Sequence, residues 1–162
     1  MHRSFYILFA VLIAFSGCTR DDICTQETPT TPLLVITFND IANPSQRKPV
    51  PSITVETTEQ EPDRVIDRVS TDSIALPLRN TGGETAYRFR KGDGTSEPNL
   101  DFVRFTYSTE DIYVNRACAF KTVYKDLNMI RQSEGSANWI LQFNVLTTEV
   151  LDETTTHITV FH

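Results

Sequence analysis

Much of what usually announces chemistry is scarce in this chain. Its 162 residues include one tryptophan, two methionines, three cysteines and three histidines. No Gly-x-Ser-x-Gly elbow occurs, which removes a hydrolase nucleophile of that kind. No Cys or His pair has zinc spacing, and His157 and His162, five apart in the terminal strand, point to opposite faces. Lysine and arginine number 15 against 21 aspartates and glutamates, for a net charge of −6. That balance argues against nucleic acid or an anionic lipid surface as partner. No run of five like charges occurs, so the acidity is a solvated coat. No stretch keeps a capped helical period. The longest apolar run, Phe5 to Phe15, has eleven residues, short of the roughly 20 that a spanning helix needs.

That run nevertheless carries the plainest signal present. Met1 to Ser4 form a head with one fixed positive charge, Arg3, and Ser16-Gly17-Cys18 close the run. The order is that of a secretory signal. Small residues directly before a cysteine resemble the lipobox of a bacterial lipoprotein. The resemblance implies that residues 1–17 are a cleaved signal peptide and that Cys18 becomes the first residue. Its thiol would carry diacylglyceryl and its new amine an acyl chain. Several chains on one residue anchor stably, where one would hold only marginally. Asp21-Asp22 resembles the acidic pair that sends some Gram-negative lipoproteins to the outer face. The expected location is the outer membrane, with the surface side favoured over the periplasmic one.

With Cys18 lipidated, Cys24 and Cys118 remain in an oxidising compartment, and an even remainder reads as one disulfide. Residues 18–32 form a lipidated flexible tether, polar and set with Pro29 and Pro32 among threonines. Residues 33–162 are one domain by length and large enough to fold without a metal.

The domain reads as strands. Leu34, Ile36 and Phe38 alternate with Val35, Thr37 and Asn39. Ile53 to Glu56 make a short strand after a proline-rich link, and Glu59 to Asp63 a polar loop. Ile74, Leu76 and Leu78 alternate, with Pro77 marking an edge or an early end. Asn80 to Gly83 is a turn. Tyr87 and Phe89 alternate with Arg88 and Arg90, and Lys91 to Asn99 is a loop with Asp93-Gly94 its sharpest turn signal. Val103, Phe105 and Tyr107 alternate. Ile112, Val114, Cys118 and Phe120 share a parity. Val123, Leu127 and Met129 read as strand or as one to two helical turns. Trp139 to Leu146 is the longest period-2 run, and Ile158 and Val160 end the pattern. Eight or nine short alternating segments predict an all-β domain: a single antiparallel β-sandwich, with a small β-barrel as the alternative.

Few side chains suggest a site. The loop from Asp93 to Glu97, with Asp101 beyond it, is rich in oxygen, yet lacks the ligand spacing of a calcium loop. Tyr113 and Tyr124 fall on the polar parity of their strands and are the candidates for outward rings, while Trp139 reads as core. Cys118 lies among apolar residues, where a thiol is inert. Asp72-Ser73-Ile74 resembles the O-glycosylation acceptor of Bacteroidetes envelope proteins, which would make Ser73 the modified residue. No metal and no cofactor is expected.

Several short motifs also resemble an uncharacterised lipoprotein family of Bacteroidetes. They are Asp21-Asp22-Ile23-Cys24, Pro29-Thr30-Thr31-Pro32-Leu33, Leu76-Pro77-Leu78, Arg116-Ala117-Cys118-Ala119-Phe120, Asn138-Trp139-Ile140 and His157-Ile158-Thr159-Val160-Phe161. The resemblance implies a Cys24–Cys118 pair and carries over no catalytic residue. The reading is a membrane-anchored envelope lipoprotein acting as a non-enzymatic binding or assembly module, with an envelope protein or glycan as partner. The alternative is an envelope enzyme or inhibitor acting on glycan or peptide.

Overall fold

The computed structural model describes Cys24, Thr28 and residues 30–162. Cys18, the signal segment and most of the tether lie outside the described residues. The chain divides into two compact units, one of residues 1–29 with 113–120, the other of 30–112 with 121–162.

The larger unit is a two-sheet sandwich built from nine strands: β1 (Leu34–Asn39), β2 (Val50–Thr57), β3 (Arg64–Thr71), β4 (Ser73–Leu76), β5 (Glu84–Lys91), β6 (Asn99–Asn115), β7 (Ala119–Arg131), β8 (Gln142–Val145) and β9 (Ile158–Phe161). β6 and β7 run on into the smaller unit. One sheet has the order β4-β1-β9-β8 and the other β3-β2-β5-β6-β7. A single buried cluster draws on both, with Leu34, Ile36, Phe38, Ile158 and Val160 from the first and Ile53, Phe89, Phe105 and Tyr124 from the second. The alternative of a closed barrel is set aside, because the strands form two separate sheets.

Not every pairing is antiparallel. β1 and β9 run parallel, with Ile36 opposite Ile158 and Phe38 opposite Val160. All four residues of β9 are buried. A strand buried on both faces is what parallel pairing calls for. On the far side of this pair the Thr37 and Thr159 hydroxyls bond at 3.2 Å.

Other expectations are corrected by backbone bulges and by length. β3 was absent from the strand pattern. Its Val65, Ile66 and Val69 do not alternate, because Arg68 sits at φ 50° and shifts the phase. Residues 123–129 are strand, and Asp126 at φ 56° is a second bulge. Before it Thr122 and Tyr124 face in, and after it Leu127 and Met129 do. Tyr124 is therefore fully buried, against the outward placement its parity suggested, and Val123 is buried outside the main cluster. The Trp139–Leu146 alternation yields only the four-residue β8. The parity shared by Ile112, Val114, Cys118 and Phe120 is not that of a core strand. β6 ends at Asn115, Cys118 lies in the turn after it, and Phe120 is exposed.

Three tyrosines tie the sheets together. They stand on the adjacent strands β5, β6 and β7 and donate to three successive carbonyls after β4: Tyr87 to Pro77, Tyr124 to Leu78 at 2.8 Å and Tyr107 to Arg79 at 2.8 Å. The Thr85 hydroxyl shares the Tyr107 oxygen at 2.5 Å. Burial pushes the phenols of Tyr87 and Tyr124 up to about 12, so both remain donors at any physiological pH. Pro77 donates no ladder bond, and these hydroxyls hold the segment in its place.

Candidate functional site

Several buried polar groups organise the backbone around them. Asp101, fully buried on β6, accepts from Asn138 Nδ2 at 3.0 Å and from the Ile140 N–H at 2.8 Å. Asn138 returns its oxygen to the Glu134 N–H at 2.8 Å. The loop after β7, with its single 3-10 turn at Gly135–Ala137, is thereby wound around one carboxylate. It delivers Trp139, whose Nε1 donates to the Phe89 carbonyl at 3.1 Å. His157 Nδ1 accepts from the Val35 N–H at 2.9 Å, so its imidazole is neutral there. His162 Nε2 lies 3.1 Å from the Lys48 carbonyl, and its ring edges meet Phe38 and Trp139. Burial lowers the affinity of both histidines for a proton. No group of three or more metal-ligating side chains occurs among the described residues.

The oxygen-rich loop does not converge. Asp93 turns to β2 and β3, where its carboxylate takes the Thr54 hydroxyl at 2.9 Å and Arg68 Nε at 3.2 Å. Thr54, and beyond it Arg68, hold that carboxyl below the usual range. Asp101 points into the core and Glu97 into solvent. Ser45-Gln46-Arg47-Lys48 spells Ser-x-x-Lys. It occupies an exposed turn, and Lys48 Nζ is taken by Asp40 Oδ1 at 3.5 Å and the His162 carbonyl at 3.0 Å.

The outward face of the five-stranded sheet is different. On β5 and β6 the outward residues oppose one another as Ala86 with Arg104 and Arg88 with Phe102. Phe102, Ala86 and Ile130 floor a groove of about 390 Å³ rimmed by Thr58, Arg104 and Gln132. Arg88 donates to the Thr58 carbonyl at 3.4 Å, and Arg104 reaches Glu84 at 4.0 Å. The same face continues as a ladder of charge. Arg64 meets Glu56 at 3.1 Å, Glu56 meets Arg90 at 4.0 Å, and Arg90 meets Asp93 at 3.8 Å. Asp93 ends the ladder on Arg68. Arginine is thus concentrated on one face of an acidic protein. Alternation on β5 and β6 displayed these arginines in the sequence, but the contribution of β3 was hidden by its bulge.

Ser73 opens β4 in an exposed position, its N–H on the Thr71 hydroxyl at 3.3 Å. Cys24 and Cys118 are joined as a disulfide, their Cα atoms 5.1 Å apart. Both belong to the smaller unit.

Comparison with known sequences adds one finding. The profile of a family of unknown function, DUF6452, matches residues 52–162. The chain belongs to that family. The DUF6452 span contains the groove, β3 to β9 and Cys118, and it begins after β1 and Cys24. No curated protein and no solved structure matches.

Proposed function

We propose that this DUF6452 chain is a lipid-anchored envelope lipoprotein of the Bacteroidetes type, held at the outer membrane through Cys18, and that its sandwich is a non-enzymatic binding or assembly module. The observation that carries the binding part is the groove floored by Phe102, Ala86 and Ile130 and rimmed by Arg104, with Arg88 opposite Phe102 on the neighbouring strand. An apolar floor with a few cationic groups suits a partner that presents carboxylates beside apolar surface, as an acidic peptide segment or an acidic glycan does. His157, His162 and Asp101 each have one atom on a backbone partner, and Asp101 gives its other oxygen to Asn138. The anchoring part is supported by Ser16-Gly17-Cys18 at the end of the apolar run. Exposed Ser73 is the acceptor for an O-glycan in this reading.

The binding part is tested with a photo-crosslinking residue at Phe102 in cells. A discrete crosslinked product is expected, and Arg104→Glu should remove it. Equal crosslinking from an exposed control at Thr154 would overturn the groove as the binding site. The anchoring part is tested separately. Cys18→Ser should abolish lipid labelling and release the protein from membranes, and a variant that still sediments with membranes places the anchor elsewhere.

A further inference from the structure

The smaller unit carries an apolar feature that the sandwich does not use. Tyr113 and Phe120 are 60% and 62% exposed, the two most exposed large apolar side chains among the described residues. They face each other edge to face, ring centroids 5.4 Å apart at 70°. The turn between them is closed by two hydrogen bonds and a disulfide. Asn115 Oδ1 accepts from the Ala117 N–H at 2.9 Å and the Cys118 N–H at 2.8 Å, and Cys118 is bonded to Cys24. Arg116 is exposed, makes no ion pair among the described residues, and is the only fixed charge in residues 113–120. Within residues 113–120, two aromatic rings beside one cation, with no acid in that stretch, is a composition suited to the headgroup layer of a membrane. Phenol and phenyl rings sit there, and a guanidinium finds phosphate.

Covalent spacing supplies the occupant. Cys24 follows Cys18 by six residues, which span at most about 20 Å when fully extended. The disulfide adds a Cα–Cα distance of 5.1 Å. A bilayer surface is the one partner that a lipidated Cys18 would hold permanently within that reach.

We infer that the 113–120 turn is a second, non-covalent membrane contact, with Tyr113 and Phe120 seated in the headgroup layer and Arg116 on lipid phosphate. The inference rests on the lipidation of Cys18. It fixes the disulfide's role: the bond joins the anchored segment to the turn that touches the bilayer.

The test uses the full chain carrying Tyr113→Trp, purified from its own membranes, with the acyl chains on Cys18 read by mass spectrometry. It is then reconstituted in phosphatidylcholine vesicles brominated near the carboxyl end of the acyl chains. Interfacial seating predicts that this tryptophan shifts to the blue and loses about half its emission to the bromines. The wild-type chain is the control, since its single tryptophan, Trp139, is 5% exposed. Phe120→Trp should report the same depth and serves if the first variant does not fold. Adding Arg116→Glu should weaken the quenching. An acylated chain quenched no more than wild type overturns the inference and leaves the anchor intact, and it turns the aromatic pair into a protein contact. A chain without acyl groups overturns the anchor and the inference together.

Discussion

Asp101 offers the sharpest test of how the loop after β7 is held. Its two oxygens accept from Asn138 Nδ2 and the Ile140 N–H, and it is fully buried. Asp101→Ala removes both acceptors. Asn138 keeps its bond to the Gln132 carbonyl at 3.1 Å, but the buried Ile140 N–H is left without that partner. Hydrogen bonds to a charged group contribute about 1.5–3 kcal/mol each, and an orphaned buried donor costs about 1–3 kcal/mol. The relief of no longer burying a carboxylate offsets part of this. The net loss is about 3 kcal/mol, or about 6–12 °C in Tm for a domain of this size. Asp101→Asn is the discriminating variant. Its amide keeps one acceptor, but its NH2 must then face either the Ile140 N–H or the Asn138 NH2. A donor facing a donor should make the loss about 2 kcal/mol, most of the alanine value. Urea denaturation followed by Trp139 fluorescence reads both, because the only tryptophan is the residue between the two partners. The denaturation midpoint should fall with an unchanged slope. If Asp101→Asn stays within about 0.5 kcal/mol of wild type, the loop is not organised by this carboxylate.

Three further outcomes are expected. Tyr124→Phe strips the buried Leu78 carbonyl of its donor and should cost about 1–2 kcal/mol, whereas Tyr113→Phe at the exposed turn should stay within about 0.5 kcal/mol in the same denaturation assay. His157 and His162 take a proton less readily when folded, chiefly because they are buried. Stability is therefore complete above the unfolded value near 6.5 and is lost as pH falls through the folded values. Each histidine sets a slope of at most about 1.4 kcal/mol per pH unit. Tm should decline from pH 6.5 to 5 and do so less in His157→Gln, and a flat profile would contradict the neutral His157–Val35 bond. Asp40, Asp93 and Asp152, whose carboxyls are lowered by hydrogen bonding, add a separate loss only below about pH 4. A peptide map of native protein should show Ser73 carrying a glycan mass, and an unmodified Ser73 peptide would end that reading.

What could be read in advance followed period and ended at bulges. β1 and β5 alternate without interruption, and Leu34, Ile36, Phe38, Tyr87 and Phe89 went to the core as their parity required. Positive-φ residues stand inside β3 and β7, Arg68 and Asp126, and near the starts of β2 and β7, Ser52 and Ala119. Beyond such a residue the parity of every side chain inverts. Tyr124 was lost to that inversion, and with it the third member of the tyrosine set. The parallel β1–β9 pair was not legible either, since buried parallel and buried antiparallel strands share one composition. The groove needed Phe102 opposite Arg88, a register that alternation alone does not supply. Asp101 stood in plain view beside an acidic loop, and nothing local marked it as the carboxylate that Asn138 and Ile140 would claim.

The parallel pair also bears on how the domain assembles. β9 lies between β1 and β8, so the four-stranded sheet has no centre until the last strand of the domain arrives. The contacts that close it join Ile36 to Ile158, and the Val35 N–H to His157 Nδ1 across 122 residues of sequence. Contacts so distant form late and slowly, because loop-closure entropy is spent before any burial is gained. The five-stranded sheet has the opposite character. β5, β6 and β7 follow one another in the chain and in the sheet. Its pairings are the more local in sequence, and it carries the Tyr87, Tyr107 and Tyr124 hydroxyls that meet the segment after β4. The outer side of β3 is an edge of this sheet. Arg64, Asp67 and Arg68 are charges on that edge, and the bulge at Arg68 twists it. Both devices discourage strand addition by another chain. The charges of β3, Arg64, Asp67 and Arg68, thus keep that edge of the sheet from pairing with a neighbouring chain.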